Sequence, residues 1–345
     1  MKKLAFLALS ATLLFTSSFA QGGDYARFHF SFIPPLSTNG FRAAHYTNGA
    51  SVSLFAGLSG NEESLSLAGF ANIVIKDIKG VQLAGMANYA GGDGSGFMAA
   101  GFANIIGNHY KGCQLAGFAN YARSVSGVQL AGMANVSLGG TGTQLAGFFN
   151  VGGDVKGSQI AGFLNVAKSV SGVQLAGFVN IARESDYPIG ILNIIGNGEK
   201  YLGVTYDALG SATLSFRSGS KVTYGILGVG YNFRVREIDY LFDAGLGANI
   251  NILPWLRIRN ELKSSSMNNF KEGTVAFTGG YFLMPCFRLG IVEIFGGPNI
   301  NYLNSSDVTL DKLFVKNPIW EDRGTSKVHQ VYLGYMVGVN FRLGR

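Results

Sequence analysis

A nine-residue phrase recurs along the first half of the chain and constrains the fold more than any other feature. Gly80-Val81-Gln82-Leu83-Ala84-Gly85-Met86-Ala87-Asn88 returns as GCQLAGFAN at Gly112 to Asn120 and as GVQLAGMAN at Gly127 to Asn135. Further copies run over Gly142 to Asn150, Gly157 to Asn165 and Gly172 to Asn180. Degenerate copies end at Asn72, Asn104 and Asn193. The Asn positions are therefore 72, 88, 104, 120, 135, 150, 165, 180 and 193, spaced by 16, 16, 16, 15, 15, 15, 15 and 13 residues. A fixed short period is the signature of a repeat architecture in which each unit buries its face against the next. A second position is Phe or Met in eight units: Phe70, Met86, Phe102, Phe118, Met133, Phe148, Phe163 and Phe178. Identical residues at identical offsets predict stacking in register.

Each unit reads as strand. No Pro occurs between Pro35 and Pro188, so no residue there lacks the amide that a hydrogen-bond ladder needs. Charges concentrate in connectors such as Lys76-Asp77-Ile78-Lys79, Arg123-Ser124, Asp154-Val155-Lys156 and Lys168-Ser169. Two architectures use such units. In a parallel β-solenoid each unit is one coil, with the Phe/Met column as a continuous core and the Asn column as a hydrogen-bonded ladder. In one large antiparallel barrel each unit is a strand, with Val81, Leu83, Gly85, Ala87 and Tyr89 facing lipid and Gln82, Ala84, Met86 and Asn88 facing inward. Barrel closure requires an accumulating register stagger, whereas identical units joined by near-identical turns accumulate none. The connectors also lack the short–long alternation of membrane barrels. The solenoid is the favoured expectation. Against it stands the absence of charge from the strands, which a solenoid in water would normally carry on its outer faces.

After about Tyr201 the phrase disappears and longer alternating strands take over. In Leu241 to Asn251, the residues Phe242, Ala244, Leu246, Ala248 and Ile250 alternate with Asp243, Gly245, Gly247, Asn249 and Asn251. The final strand sets Val331, Leu333, Tyr335, Val337, Val339, Phe341 and Leu343 against Gln330, Tyr332, Gly334, Met336, Gly338, Asn340 and Arg342. Thr223 to Phe233, Trp255 to Leu262, Thr274 to Leu283 and Ile291 to Leu303 behave similarly. Apolar-out, polar-in strands of about ten residues are the pattern of an outer-membrane barrel. About eight such strands are expected between Tyr201 and Leu343, and Asp24 to Ile33 is a candidate for one more. Arg257, Arg259 and Glu261 are expected in the lumen. The longest irregular stretch, Asn304 to His329, is the expected exposed contact loop, because loops of that length are usually functional.

The N-terminus reads as an address. Lys2 and Lys3 precede an apolar stretch from Leu4 to Phe15, and Ser18-Phe19-Ala20 supplies small residues before Gln21. This pattern predicts a secretory signal peptide cleaved after Ala20. Composition excludes several classes. Only 14% of residues are charged, 47% are hydrophobic and 50 are Gly, so the chain is too apolar and aromatic to be disordered. A net charge of +7, not gathered into basic runs, gives no nucleic-acid surface. Outside the extreme N-terminus no apolar run reaches the length of a membrane helix.

The GVQLAGFAN-type units resemble those of bacterial surface-repeat proteins, which are exported and carry tandem G-x-Q-x-A-G-x-x-N units. The opening Phe32-Ile33-Pro34-Pro35-Leu36-Ser37-Thr38-Asn39-Gly40 is similar to the segment that precedes the repeats in such proteins. The final strand looks like those of outer-membrane barrel proteins, although its Phe341-Arg342-Leu343-Gly344-Arg345 ending departs from the usual terminal aromatic. The resemblance implies a surface or outer-membrane location and supplies no activity to carry over. The expected organisation is a signal peptide over 1–20, N-terminal strands forming a cap over 21–64, tandem repeats over 65–196 and an antiparallel barrel over 197–345.

Chemistry-bearing motifs are sparse. His29, His45, His109 and His329 are scattered, with no zinc-ligand spacing. Cys113 takes a position that is Val in other units, and whether it pairs with Cys286 is open. There is no nucleophile elbow and no phosphate loop, and Gly245-Leu246-Gly247 lies inside a strand pattern without the helix that dinucleotide binding needs. Asn61-Glu62-Glu63, and Asp307 with Asp311, read as solvated loops rather than calcium sites. Ser326 with His329 is the one remote hydrolytic pair. The expectation is a non-enzymatic exported protein of the cell surface or outer membrane, structural or adhesive, with no cofactor, metal or nucleic acid. Its partners would be outer-membrane lipid through the C-terminal region and an unidentified surface ligand or polymer. The alternative is an outer-membrane pore.

Overall fold

The computed structural model describes residues 25–140, 142–271 and 273–344. The expected signal peptide over 1–20 lies outside the described residues. The chain divides into two compact units, residues 1–157 and 158–345.

The first unit is a parallel β-solenoid. Successive copies of the repeat pair position for position: Asn72 opposite Asn88, Asn104 opposite Asn120, Asn120 opposite Asn135, and Asn135 opposite Asn150. No stagger accumulates, which is why these units stack rather than close into a barrel. Each coil is a flattened hairpin of two strands, as in Ile78–Ala84 and Ala87–Ala90, joined at a tight corner and carried to the next coil by a connector. The corner needs glycine because the chains approach too closely for a side chain. A Cβ on Gly117 would lie 2.1 Å from the carbonyl oxygen of Gly101, and one on Gly101 would lie 2.2 Å from that of Gly85.

The N-terminal strand Tyr25–Ile33, a candidate for the barrel on its alternation, belongs instead to the solenoid. It runs parallel to Thr47–Ser53, which in turn runs parallel to Asn61–Ala68. Glu62 is correspondingly not on a solvated loop. Its carboxylate is buried and accepts hydrogen bonds from Asn48 at 3.0 Å and Ser51 at 2.7 Å.

The second unit opens with the coils around Leu164–Ala176 and Val179–Ile189, again in register at Asn165, Asn180 and Asn193. It continues as a closed antiparallel barrel of eight strands: Glu199–Asp207, Ser211–Gly219, Thr223–Asn232, Tyr240–Leu253, Leu256–Asn269, Gly273–Leu289, Val292–Ser305 and Val328–Arg342. The last strand closes on the first, with Tyr201 opposite Arg342 and Asp207 opposite Met336. Alternation sets the faces. Leu333, Tyr335, Val337 and Phe341 point outward, while Gln330, Tyr332, Met336 and Asn340 point in. An apolar cluster lies at the end of the barrel remote from its first residue, where Leu209, Val235, Ile238, Leu241 and Met267 pack with Leu310 and Leu313. The 304–329 stretch is therefore not simply an exposed loop. Leu310 and Leu313 fold over the barrel end, and Trp320–Arg323 pairs with the final strand.

Candidate functional site

Two features of these units have functional weight: the interior of the barrel, and the surfaces the coils turn inward and outward.

The lumen is filled by ion pairs. Arg257 donates to Glu199 at 2.9 Å and to Glu293 at 2.7 Å, and Arg259 also donates to Glu293. Arg217 makes a two-point contact with Glu261, at 2.9 and 3.2 Å, and the Tyr224 hydroxyl donates to the same carboxylate at 2.8 Å. Lys263 donates to Asp243 at 2.8 Å. Arg217, Arg257, Arg259 and Lys263 are thus matched by Glu199, Glu261, Glu293 and Asp243, and all eight are buried. Charges taken out of water this far must be paired, because an isolated buried ion costs several kcal/mol. Aromatic faces cover what the carboxylates leave. The Arg259 guanidinium lies 4.7 Å and that of Arg217 5.1 Å from the Phe295 ring, and Arg257 lies 5.2 Å from Tyr201. The free space among Glu199, Tyr201, Arg217, Tyr224, Arg257 and Arg259 is about 10 Å³, which is roughly one water. The barrel interior is a packed polar core and not an open channel at this level.

The alternation of Arg257, Arg259 and Glu261 places these three in the lumen, as their spacing predicts. Their partners Glu199, Arg217 and Glu293, and Lys263 that pairs with Asp243, are not singled out by the sequence. Each is a charge between outward-facing or small residues, as Glu293 is between Val292 and Ile294. That spacing was the available signal, but only barrel closure tells which strands meet.

Near the corner edge the coils turn polar side chains inward and apolar ones outward. The Asn column forms the expected ladder and is fully buried. In the first unit Asn72 donates to Asn88, Asn88 to Asn104, Asn104 to Asn120, Asn120 to Asn135 and Asn135 to Asn150, at 2.8 to 3.0 Å. In the second unit Asn165 donates to Asn180 at 3.0 Å and Asn180 to Asn193 at 2.8 Å. A parallel Gln ladder runs beside it, with Gln129 donating to Gln114, Gln144 to Gln129 and Gln174 to Gln159. Met98 replaces Gln in one coil and is equally buried.

The Phe/Met column is not the core that stacking alone predicts. Phe70, Met86, Phe102, Phe118, Phe148, Phe163 and Phe178 are each 40 to 46% exposed on the outer corner, and Met133 is half-buried there. The rings stack outside, Phe102 on Phe118 at 4.7 Å and Phe163 on Phe178 at 5.4 Å, close to the strand spacing of about 4.8 Å. The apolar core lies at the other edge, beneath the charged connectors, where Val74, Ile78, Ala90, Met98, Ile106, Tyr110, Ala122 and Val125 pack together. Ile78 and Val125 are the apolar members of otherwise polar connectors, a signal that composition had hidden. The Phe/Met residue sits past the corner, where the chain reverses and the inward–outward alternation restarts with Asn inside.

Scattered titratable groups are accounted for locally. His29 is enclosed in the first unit with neither ring nitrogen hydrogen-bonded, and burial lowers its pKa to about 4. Burial pushes the Glu62 carboxyl above its usual value. His109 lies 3.2 Å from the Ser124 hydroxyl, and His329 pairs with the Tyr302 hydroxyl at 2.7 Å. Both cysteines are free. Among the described residues no three of His, Cys, Asp and Glu gather as metal ligands.

No protein-family model matches the sequence, and no curated protein sequence matches it. Among solved structures the chain is similar to a de novo designed transmembrane β-barrel, at 13% identity and a TM-score of 0.23, over 42% of this chain and 93% of that one. It is also similar to Neisserial surface protein A, at 12% identity and a TM-score of 0.24, over 42% of this chain and 94% of that one.

Proposed function

We propose that the chain is an exported, non-enzymatic outer-membrane protein whose barrel is its anchor and whose coils and capped barrel end are its working surfaces. One observation carries this reading: the barrel is apolar outside and ionic inside. Leu202, Val204, Leu214, Val229, Phe242, Leu262, Leu283, Phe287, Ile294 and Leu333 stand outward and largely exposed around the wall, while the eight paired charges lie within. In water that arrangement would leave an apolar belt unburied on every side, far beyond the patch an ordinary monomer shows. In a bilayer the same belt is the surface that stabilises the protein, and the closed ladder leaves no strand edge in lipid.

A structural or adhesive role, rather than transport, is supported by the packed lumen and by the Leu310–Leu313 cap. The test is twofold. The full chain should co-float with lipid vesicles and resist alkaline extraction, and reconstituted into planar bilayers it should give no steady conductance. A chain that stays in the aqueous fraction would overturn the membrane reading. Sustained conductance would replace adhesion with a pore.

A further inference from the structure

We propose that the coils of the second unit themselves enter the membrane: their Gly–Phe/Met corner edge is a second lipid-inserting surface beside the barrel, and these coils do not stand off in water as a stalk. This rests on the barrel being in the bilayer.

Three outward columns meet at that edge. The Phe/Met corner residue is flanked on one face by the Leu of each unit, as at Leu83, Leu115 and Leu175, and on the other by a Tyr or Ile, as at Tyr89, Ile105 and Ile181. All are 36 to 44% exposed. Nothing charged interrupts them. Every charge of the coils falls at or beside the opposite edge, at residues such as Lys76, Asp93, Lys111, Arg123, Lys168 and Arg183. The coil is therefore amphipathic across its width, with a wet edge and an apolar edge. The Asn and Gln ladders lie inside, just beneath the apolar edge. Polar groups satisfied internally and apolar groups turned outward are what a hydrocarbon solvent demands, and an apolar stripe opposite a charged one is what lies in a bilayer interface.

The second unit shows at what depth this edge sits. A groove of about 910 Å³ separates the corner edge of its coils, at Leu175, Gly177 and Ile191, from the outer wall of the barrel, at Leu246, Leu262 and Tyr281. Those three wall residues occupy the middle of their strands, where the lipid-facing belt is centred. The corner edge thus opens onto the barrel at the level of the hydrocarbon, and the occupant of the groove is acyl chain. The continuity of one apolar surface with the other selects lipid over a protein partner.

Site-directed fluorescence in the full chain tests this. In a Cys113→Val background, with enclosed Cys286 left in place, a small thiol-reactive fluorophore is attached at Phe178→Cys on the corner edge. Other samples carry it at Leu262→Cys on the barrel wall or at Lys168→Cys on the charged edge. Each protein is reconstituted into phosphatidylcholine vesicles whose acyl chains are brominated, and is separately exposed to aqueous iodide. The expected result is bromolipid quenching at Phe178→Cys comparable with that at Leu262→Cys, and iodide quenching at Lys168→Cys alone. Quenching at Leu262→Cys without quenching at Phe178→Cys overturns the inference and leaves the barrel anchor standing. Protection of Phe178→Cys from both quenchers means that a second protein surface covers the edge and also overturns it. Absence of lipid quenching at Leu262→Cys removes the membrane reading and this inference together.

Discussion

The amide of Asn120 donates to the side-chain oxygen of Asn135 at 2.9 Å, one coil further along, while its own oxygen accepts from Asn104 at 2.9 Å. The same Asn120 nitrogen also reaches the Leu130 carbonyl at 2.7 Å. The rung is therefore saturated in a place where water does not reach. Asn120→Ala should destabilise the first unit by about 2–4 kcal/mol, because it strands the Asn104 donor and the Leu130 carbonyl as well as losing its own bonds. Asn120→Asp should do worse, since two oxygens cannot donate to Asn135. Hydrogen exchange of the flanking strands, from Ala103 to Ser137, reads both. Unchanged protection in Asn120→Ala would mean that the ladder is ornamental.

The corner glycines predict a steep position dependence. A Cβ at Gly117 would stand 2.1 Å from the Gly101 carbonyl oxygen, a backbone atom held in its own ladder. Gly117→Ala is expected to cost about 2–4 kcal/mol by forcing two coils apart. Gly139→Ala, in the same unit but with nothing within 4 Å of its Cβ, is expected to be neutral. Thermal unfolding monitored by circular dichroism separates the two.

Within the barrel, Glu261 compensates Arg217 and accepts from Tyr224. Removing one member leaves a buried, unpaired charge, so Glu261→Leu should destabilise the barrel by about 3–5 kcal/mol in urea titration from lipid vesicles. Adding Arg217→Met should recover most of that loss, since an apolar pair of similar volume serves a packed interior nearly as well. A double variant no better than the single one would show that the ion pair itself, rather than its neutrality, supports the interior.

His29 makes the N-terminal coils sensitive to acid. Burial lowers its pKa from 6.5 to about 4, so the unfolded chain takes up a proton that the folded chain refuses. The stability contributed by neutral His29 is complete above about pH 6.5 and is lost as pH falls toward 4, by up to about tenfold in the local opening equilibrium per pH unit. Glu62 acts with the opposite sign. Its raised pKa means that protonation favours the folded state, and this contribution is full below its unfolded value. Hydrogen exchange over Tyr25–Ile33 between pH 7 and 5 should therefore quicken in excess of the chemical trend, and His29→Leu should abolish the excess.

Much of this architecture was legible before any coordinates. The constant offset of the Asn residues predicts register, and register accumulates no stagger, so counting favours a stack of parallel coils over one large barrel without excluding the latter. The alternation of the final strand, and of Phe242 to Ile250, gave the barrel faces directly, because period-two burial is a local property of an extended chain. The inside of the coil was harder to read. Periodicity groups Gln82, Ala84 and Met86 on one face, but the corner at Gly85 resets the alternation, so Asn88 turns in while Met86 turns out. A reversal of direction between two strands leaves no trace in a count of residues.

The sequence by itself determined that the chain is all-β, that its first half is a register-locked repeat and that its second half is a barrel of alternating strands. Those properties follow from spacing and from steric alternation along a single strand. Only the tertiary structure decided which charges meet, since Arg257 finds Glu199 and Glu293 across 58 and 36 residues of chain. It also decided that Tyr25–Ile33 joins the coils rather than the barrel, that Leu310 and Leu313 close one barrel end, and that the repeated aromatic lies outside its coil. Each of those depends on which strands become neighbours, and neighbourhood is set by closure and by the geometry of corners rather than by any residue's own preference.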